Sequence, residues 1–192
     1  IYLKMNIELR DPNIIMKLSR LGSFHQSKLS FLRSFLKEFK YNEKGFYPTS
    51  EDLYEAIYAV TPDSLKYKVE DGFKEIVLYE NRVIDAKTKA LDNGKWETTF
   101  TVNSKKIYYN DQGKEDRIDD KRNLVDVGLF GEDVVKDGVT IKNPFYFKLK
   151  WLEPGDNTFT ITTNEKPLKA GIDPYNKLID RNSEDNLKTV EE

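Results

Sequence analysis

The stretch KALDNGKWETTFTV, residues 89–102, sets Asn93-Gly94 between two runs of strand-forming residues. Asn-Gly is the pair that most readily takes the two positive φ values of a type I′ turn, so the stretch predicts a tight β-hairpin. After the turn, Trp96, Thr98, Phe100 and Val102 alternate with polar neighbours. That period of two is the mark of a half-buried strand. Before it, EIVLYENRVIDAKTKAL (75–91) is equally rich in β-formers.

The same period runs downstream. KKIYY (105–109) continues the strand or forms the next one, and NDQGKEDRIDDKRN (110–123) is a polar loop with no core face. LVDVGLF (124–130) alternates again, and GEDVVKDG (131–138) holds a second turn at Asp137-Gly138. PFYFKLKWL (144–152) puts Phe145, Phe147, Leu149 and Trp151 on one face and Tyr146, Lys148 and Lys150 on the other. EPGDN (153–157) turns the chain, and TFTITT (158–163) sends Phe159 and Ile161 inward. AGIDPYNKLID (170–180) is the last expected strand. There Asp173-Pro174 interrupts the ladder, because proline has no N–H to donate, and Leu178 and Ile179 return to the core. RNSEDNLKTVEE (181–192) is polar and expected to fray. About seven short strands with turn signals between them argue for an antiparallel β-sandwich.

Upstream the period is helical. IIMKLSRL (14–21) ends at Gly22, and in SKLSFLRSFLKEFK (27–40) Leu29, Leu32, Leu36 and Phe39 mark one face of a helix. Thr49 with Asp52 three residues on predicts a capping box, and Leu53, Ile57 and Val60 the buried side of the helix that follows. Thr61-Pro62 reads as an N-cap followed by proline at the first helical position, with Leu65, Val69 and Phe73 inward. The expected fold is therefore α+β: a helical segment over residues 1–74 of three or four short helices, a β-sandwich of the immunoglobulin/fibronectin-like kind over 75–182, and a polar tail over 183–192.

Composition narrows the function. A hydrophobic share of 38% supports a core, and a net charge of −2 gives no field to gather nucleic acid. No apolar run is long enough to span a bilayer, so no direct membrane insertion by this segment is expected. The start, IYLKMNIELRDPN, has charges where a secretory leader needs an apolar stretch, and its first residue is Ile, which suggests a fragment of a longer polypeptide. There is no cysteine, so disulfides and thiolate chemistry are excluded. The single histidine, His25, reads as a surface or helix-entry residue, since zinc hydrolases use two or three histidines and catalytic triads need one beside a nucleophile.

No HExxH, GxGxxG, GxxxxGK[ST] or GxSxG motif occurs. The acidic cluster Asp173, Asn176, Asp180, Asn182 and Asp185 resembles a metal loop at first sight. Counted from Asp173, Glu184 falls at position twelve of an EF-hand, but Tyr175 and Lys177 stand where oxygen ligands belong and Leu178 replaces the required glycine. No catalytic, cofactor-binding or metal-binding residue is assigned.

Three stretches carry a resemblance: FLKEFKYNEKGFYPTSEDLYEAIYAVTPDSLKYKVEDGFKEIVLYENRV (35–83), KALDNGKWETTFTV leading into KKIYYNDQGKEDRIDDKRNLVDVGLFG (105–131), and KAGIDPYNKLIDRNSEDNLK (169–188). Their order resembles the carboxy-terminal part of aminopeptidase N-like zinc metallopeptidases, of the kind fused to bacterial ABC-2-type transporter permeases. The resemblance implies a non-catalytic, structural portion whose helices close the peptidase domain and whose sandwich follows it. Zinc, its ligands and the catalytic groups would lie upstream, leaving this chain without a cofactor. It further implies a bacterial parent held on the extracytoplasmic (periplasmic) face of a membrane. The upstream peptidase domain of the same polypeptide would be the partner, and a homodimer through exposed helical surface on residues 28–74 is the second expected association. A reading of another class is a free-standing module that binds carbohydrate or peptide through an aromatic face, with Tyr146 and one of Tyr108 and Tyr109 on it.

Overall fold

A computed structural model describes residues 49–136 and 138–192. The expected helices at 14–21 and 27–40, and His25, lie outside the described residues. The chain divides into two compact units, residues 1–75 and 76–192.

In the first unit, α1 (Ser50–Val60) opens with the predicted capping box. The Asp52 N–H donates to Thr49 Oγ1 at 3.2 Å and the Thr49 N–H to Asp52 Oδ2 at 2.6 Å. The Thr49 N–H and the Thr49 hydroxyl, both donating to the Asp52 carboxylate, hold that carboxyl below its ordinary value. Ile57 is buried as expected, but Val60, on the last turn, is exposed. Thr61 does not start the next helix. It closes α1, its hydroxyl donating to the Ile57 carbonyl at 2.7 Å. A 3-10 turn at Asp63–Leu65 follows, and α2 (Lys66–Phe73) buries Val69 while Phe73 stays exposed, edge-on to Tyr54 at 6.0 Å.

The second unit is made of antiparallel sheets, and strand accounts for 49% of the described residues. Its strands are β1 (Ile76–Tyr79), β2 (Arg82–Ala90), β3 (Trp96–Ser104), β4 (Lys106–Tyr109), β5 (Glu115–Ile118), β6 (Asn123–Phe130), β7 (Val134–Lys136), β8 (Val139–Ile141), β9 (Pro144–Leu152), β10 (Gly155–Thr163), β11 (Lys169–Ile172) and β12 (Leu187–Thr189). They form sheets ordered β1-β4-β5, β10-β3-β2, β12-β11-β6-β9 and β7-β8.

The hairpin at 89–102 is present, but its turn is not type I′. Only Gly94 has positive φ, at 75°. The Gly94 N–H donates to the Leu91 carbonyl at 3.0 Å and the Leu91 N–H to the Lys95 carbonyl at 2.8 Å. This is a three-residue loop, Asp92-Asn93-Gly94, with glycine in the left-handed position. Asn110 to Lys114 repeats it: Gly113 at φ 72°, Gly113 N–H to Asn110 O at 2.9 Å, Asn110 N–H to Lys114 O at 2.9 Å. So the stretch expected to be a polar loop is a hairpin whose second strand, β5, is exposed along its whole length. Alternation has nothing to show in a strand with no buried face.

β3 bears out its pattern, with Thr98, Phe100 and Val102 buried. One buried cluster takes Val83, Ala86, Phe100 and Val102 from the β10-β3-β2 sheet and Val125, Val127, Leu129, Leu152, Ala170 and Ile172 from the β12-β11-β6-β9 sheet. Phe159 and Ile161 pack against it, as the alternation predicts.

Three further expectations fail. On β9 the face turned to the core is the one carrying Tyr146 and Leu152, in register with Leu129 and Asn123; Lys148 on that face is exposed and Lys150 half-buried, while Leu149 and Trp151 on the other face are exposed. Ile179 is 70% exposed and stays out of the core, though Leu178 packs against it. Residues 183–192 do not fray: a 3-10 turn at Ser183–Asn186 leads into β12, which pairs with β11, and Val190 joins the core. The Thr88 N–H then donates to the Glu191 carbonyl at 2.7 Å, and the Glu191 N–H to the Ala86 carbonyl at 2.9 Å.

Candidate functional site

The segment 173–186, singled out by its acidic cluster, covers two places on the β unit. The first is a turn on the outer face of β6 and β9. β11 ends at Ile172, and Asp173 (φ 40°) and Asn176 (φ 49°) take left-handed conformations, which Asp and Asn tolerate better than most side chains. The Asp173 N–H donates to the Asp126 carbonyl at 2.8 Å, and the Asn176 N–H to the Asp173 carbonyl at 2.9 Å. The Asp173 carboxylate accepts the N–H groups of Lys177, at 3.0 Å, and Leu178, at 2.8 Å.

That turn lays two side chains across the outer face. Tyr175 stands edge-on to Phe147 at 5.2 Å and to Phe130 at 6.4 Å. Lys177 Nζ reaches Asp126 Oδ2 at 2.6 Å, with the Phe147 ring 5.4 Å away. Gly128 makes the close approach feasible: a Cβ there would lie 2.7 Å from the Phe130 ring and 2.9 Å from the Tyr146 carbonyl. Burial pushes the Asp173 carboxyl up to about 6, with the Asp126 charge adding to it and the two backbone bonds opposing.

The second place is the corner where the β1–β2 and β3–β4 strands bend. The Asn81 N–H donates to Asp180 Oδ2 and the Asn182 N–H to Asp180 Oδ1, both at 3.0 Å. The Ser104 hydroxyl donates to Asn81 Oδ1 at 3.1 Å. Glu80 receives Lys105 at 2.8 Å and Arg181 at 2.7 Å. The Tyr79 N–H donates to the Ile179 carbonyl and the Arg181 N–H to the Tyr79 carbonyl, each at 2.9 Å. Half-burial raises the Asp180 carboxyl above its ordinary value, and the Asn182 and Asn81 N–H groups oppose that rise.

The chemistry of both places is fastening. A carboxyl near pKa 6 is a tempting general base, but a base has to reach its substrate. Asp173 is 1% exposed and both its oxygens are engaged by backbone N–H groups. Four of the five residues of the apparent metal loop use their side chains in the same way, and Asn176 bonds through its main-chain N–H. Asp173 and Asp180 accept main-chain donors, and the Asn182 amide donates to Asp185 at 3.0 Å. Among the described residues no three His, Cys, Asp or Glu side chains group to hold a metal ion, and no helix is long and apolar enough to cross a membrane.

No known protein family, curated protein or solved structure matches this chain.

Sequence reading missed the ion pairs that matter most here. Lys177–Asp126 joins positions 51 apart, and Arg181–Glu80 joins positions 101 apart. Lys106, 4% exposed, pairs with Asp119 at 2.9 Å between neighbouring strands. A lysine in a strand pattern carries no sign that its charge will be buried. The single usable signal was Asp173-Pro174 with Asn176 two residues on, which marks a turn but not what it covers.

Proposed function

We propose that the chain is a non-catalytic structural portion of a larger protein, of the aminopeptidase N-like kind its sequence resembles, with any zinc and catalytic groups upstream. The observation that carries this is the use of the segment 169–188. Its carboxylates Asp173 and Asp180 are bound by main-chain N–H groups, and Lys177 is tied to Asp126, so these polar groups hold strands together. The buried cluster shared by the β10-β3-β2 and β12-β11-β6-β9 sheets supports reading the β unit as a sandwich of the immunoglobulin/fibronectin-like kind. In this reading the upstream peptidase domain is the partner, on the extracytoplasmic face of a membrane-anchored parent.

The exposed hairpin β7–β8 fits a supporting role. Val134, Val135, Val139 and Ile141 are each at least 45% exposed, and an isolated two-stranded hairpin is marginal without something to pack on. The aromatic-face reading draws less support: Tyr108 is buried, and Tyr146 packs against the core.

The test is metal analysis and hydrolysis of aminoacyl-arylamides by the purified chain. The expected result is no stoichiometric zinc and no turnover. Bound zinc at one equivalent, or hydrolysis that a chelator abolishes, overturns the proposal.

A further inference from the structure

A sheet edge is a row of unpaired main-chain groups, and proteins ordinarily blunt it with short strands, charges, proline or bulges. β9 is a nine-residue edge strand of this kind. It carries Pro144, a register shift near Phe130, and the charges of Lys148 and Lys150. β1 and β5 have four residues each, and β12 has three. The far side of β2 is closed by the Glu191 bonds to Ala86 and Thr88.

β10 has none of these protections. It runs nine residues as GDNTFTITT, with no lysine, arginine or proline, with Asp156 as its sole charge, and in unbroken register with β3. Among the described residues it pairs with β3 alone. Which of its groups face outward follows from the ladder. Ala86 and Thr88 bond away from β3, to Glu191, so their partners Phe100 and Thr98 turn their main-chain groups toward β10. There they meet Phe159 and Ile161. The N–H and C=O groups of Thr158, Thr160 and Thr162 are left on the open edge.

We propose that this edge is a self-association surface. Two copies of the chain pair β10 to β10 antiparallel about a two-fold axis at Thr160, giving one continuous sheet with three strands from each copy. The sequence is self-complementary in that register. Thr160 faces Thr160, Thr158 faces Thr162, and Phe159 faces Ile161, so the two half-buried apolar side chains of each copy cover those of the other. Asp156 falls opposite Asn164 and not opposite its own copy. The outer threonines already pair across β3 and β10, Thr99 with Thr160 at 3.0 Å and Thr101 with Thr158 at 2.9 Å, and the seam repeats that pairing. An isologous contact of this type closes on itself and stops at the dimer.

The test is sedimentation of the full 192-residue chain over about 1 to 200 μM, with two variants on the axis. Thr160→Pro removes an outward N–H and leaves the β3 ladder its donors. Thr160→Lys sets two ammonium groups against each other. The wild type is expected to form a dimer of its 22.5 kDa chain, and each variant to raise the dissociation constant at least about tenfold. Circular dichroism should be unchanged in Thr160→Lys, which carries the test if proline strains the strand. Leu149→Lys, on β9, should dimerise as the wild type does. A chain that stays monomeric across the range overturns the proposal, and so does a dimer that Thr160→Lys leaves intact.

Discussion

β9 and β10 follow one another, have the same length and lie at sheet edges, yet their alternation points to the right face in one and the wrong face in the other. In β10 one side is threonine and the other is Phe159 and Ile161, so solvent preference alone decides. In β9 both sides are partly apolar, and the side with more apolar residues is the outer one. The reason is the 173–177 turn. It covers part of that outer face with Tyr175 and Lys177, so Phe147 packs against Tyr175 while Leu149 and Trp151 stay exposed. The lesson is that a period of two reports two different faces, while the element packed on each face decides which is core.

The difference can be probed along β9 itself. Leu152 is 1% exposed and Leu149 is 43% exposed. Leu152→Ala should cost about 3 kcal/mol, and Leu149→Ala under about 1 kcal/mol, read from denaturant midpoints. Equal costs would restore the alternation reading. Next in size is Gly128→Ala. The added methyl meets the Tyr146 carbonyl at 2.9 Å, and main chain cannot swing aside, so a loss of roughly 2 kcal/mol is expected. A neutral result would mean that the β6–β9 face is looser than described.

Lys177→Met separates the charge of the cover from its bulk. Asp126 is 6% exposed and would lose its cation, but Lys177 keeps 26% side-chain exposure, so the expected loss is roughly 1 to 2 kcal/mol, below that of a fully buried pair. The smallest effect is on pH dependence. The Asp173 carboxyl sits near 6 in the folded chain against an ordinary 3.8, facing Asp126 and Lys177. A raised folded value favours the protonated form, so this group's contribution is complete below its unfolded value and is lost as pH rises through about 6. Between pH about 7 and 5 the wild type should therefore gain more thermal stability than Asp173→Asn, which keeps the left-handed turn but cannot ionise. Parallel profiles would remove Asp173 as a source of that dependence.

Local chemistry was legible wherever a single residue pair determines it. The Thr49–Asp52 cap, the hairpin at residues 92–94 and the inward faces of β3 and β10 could all be read from spacing. The turn geometry was not, because type I′ and a three-residue loop share the letters Asn-Gly and differ only in whether Asn93 also takes positive φ. β5 and β12 were missed for opposite reasons. β5 has no buried face to produce a pattern. β12 is held by its ladder to β11, 16 to 20 positions away, and by the Lys188 bond to Ile84, and its own letters, LKT, look like any tail. The 173–186 segment was visible as unusual, but its work depends on Asp126, Glu80 and Asn81, which no local window contains.

The return of residues 179–191 to the first hairpin has a consequence for how the unit folds. The Asp92–Gly94 hairpin needs only near neighbours and belongs to the microsecond class of events. The Asn81–Asp180 bond spans 99 positions, and Lys188 reaches the Ile84 carbonyl across 104. Contacts of that span carry the largest loop-closure cost and place the unit among slow folders of high contact order. Until they form, β2 is an open edge as well, and the growing structure has two templates for mispairing instead of one. Those thirteen residues thus work as a latch, and the rate at which it closes sets how long the nascent unit stays exposed to its neighbours.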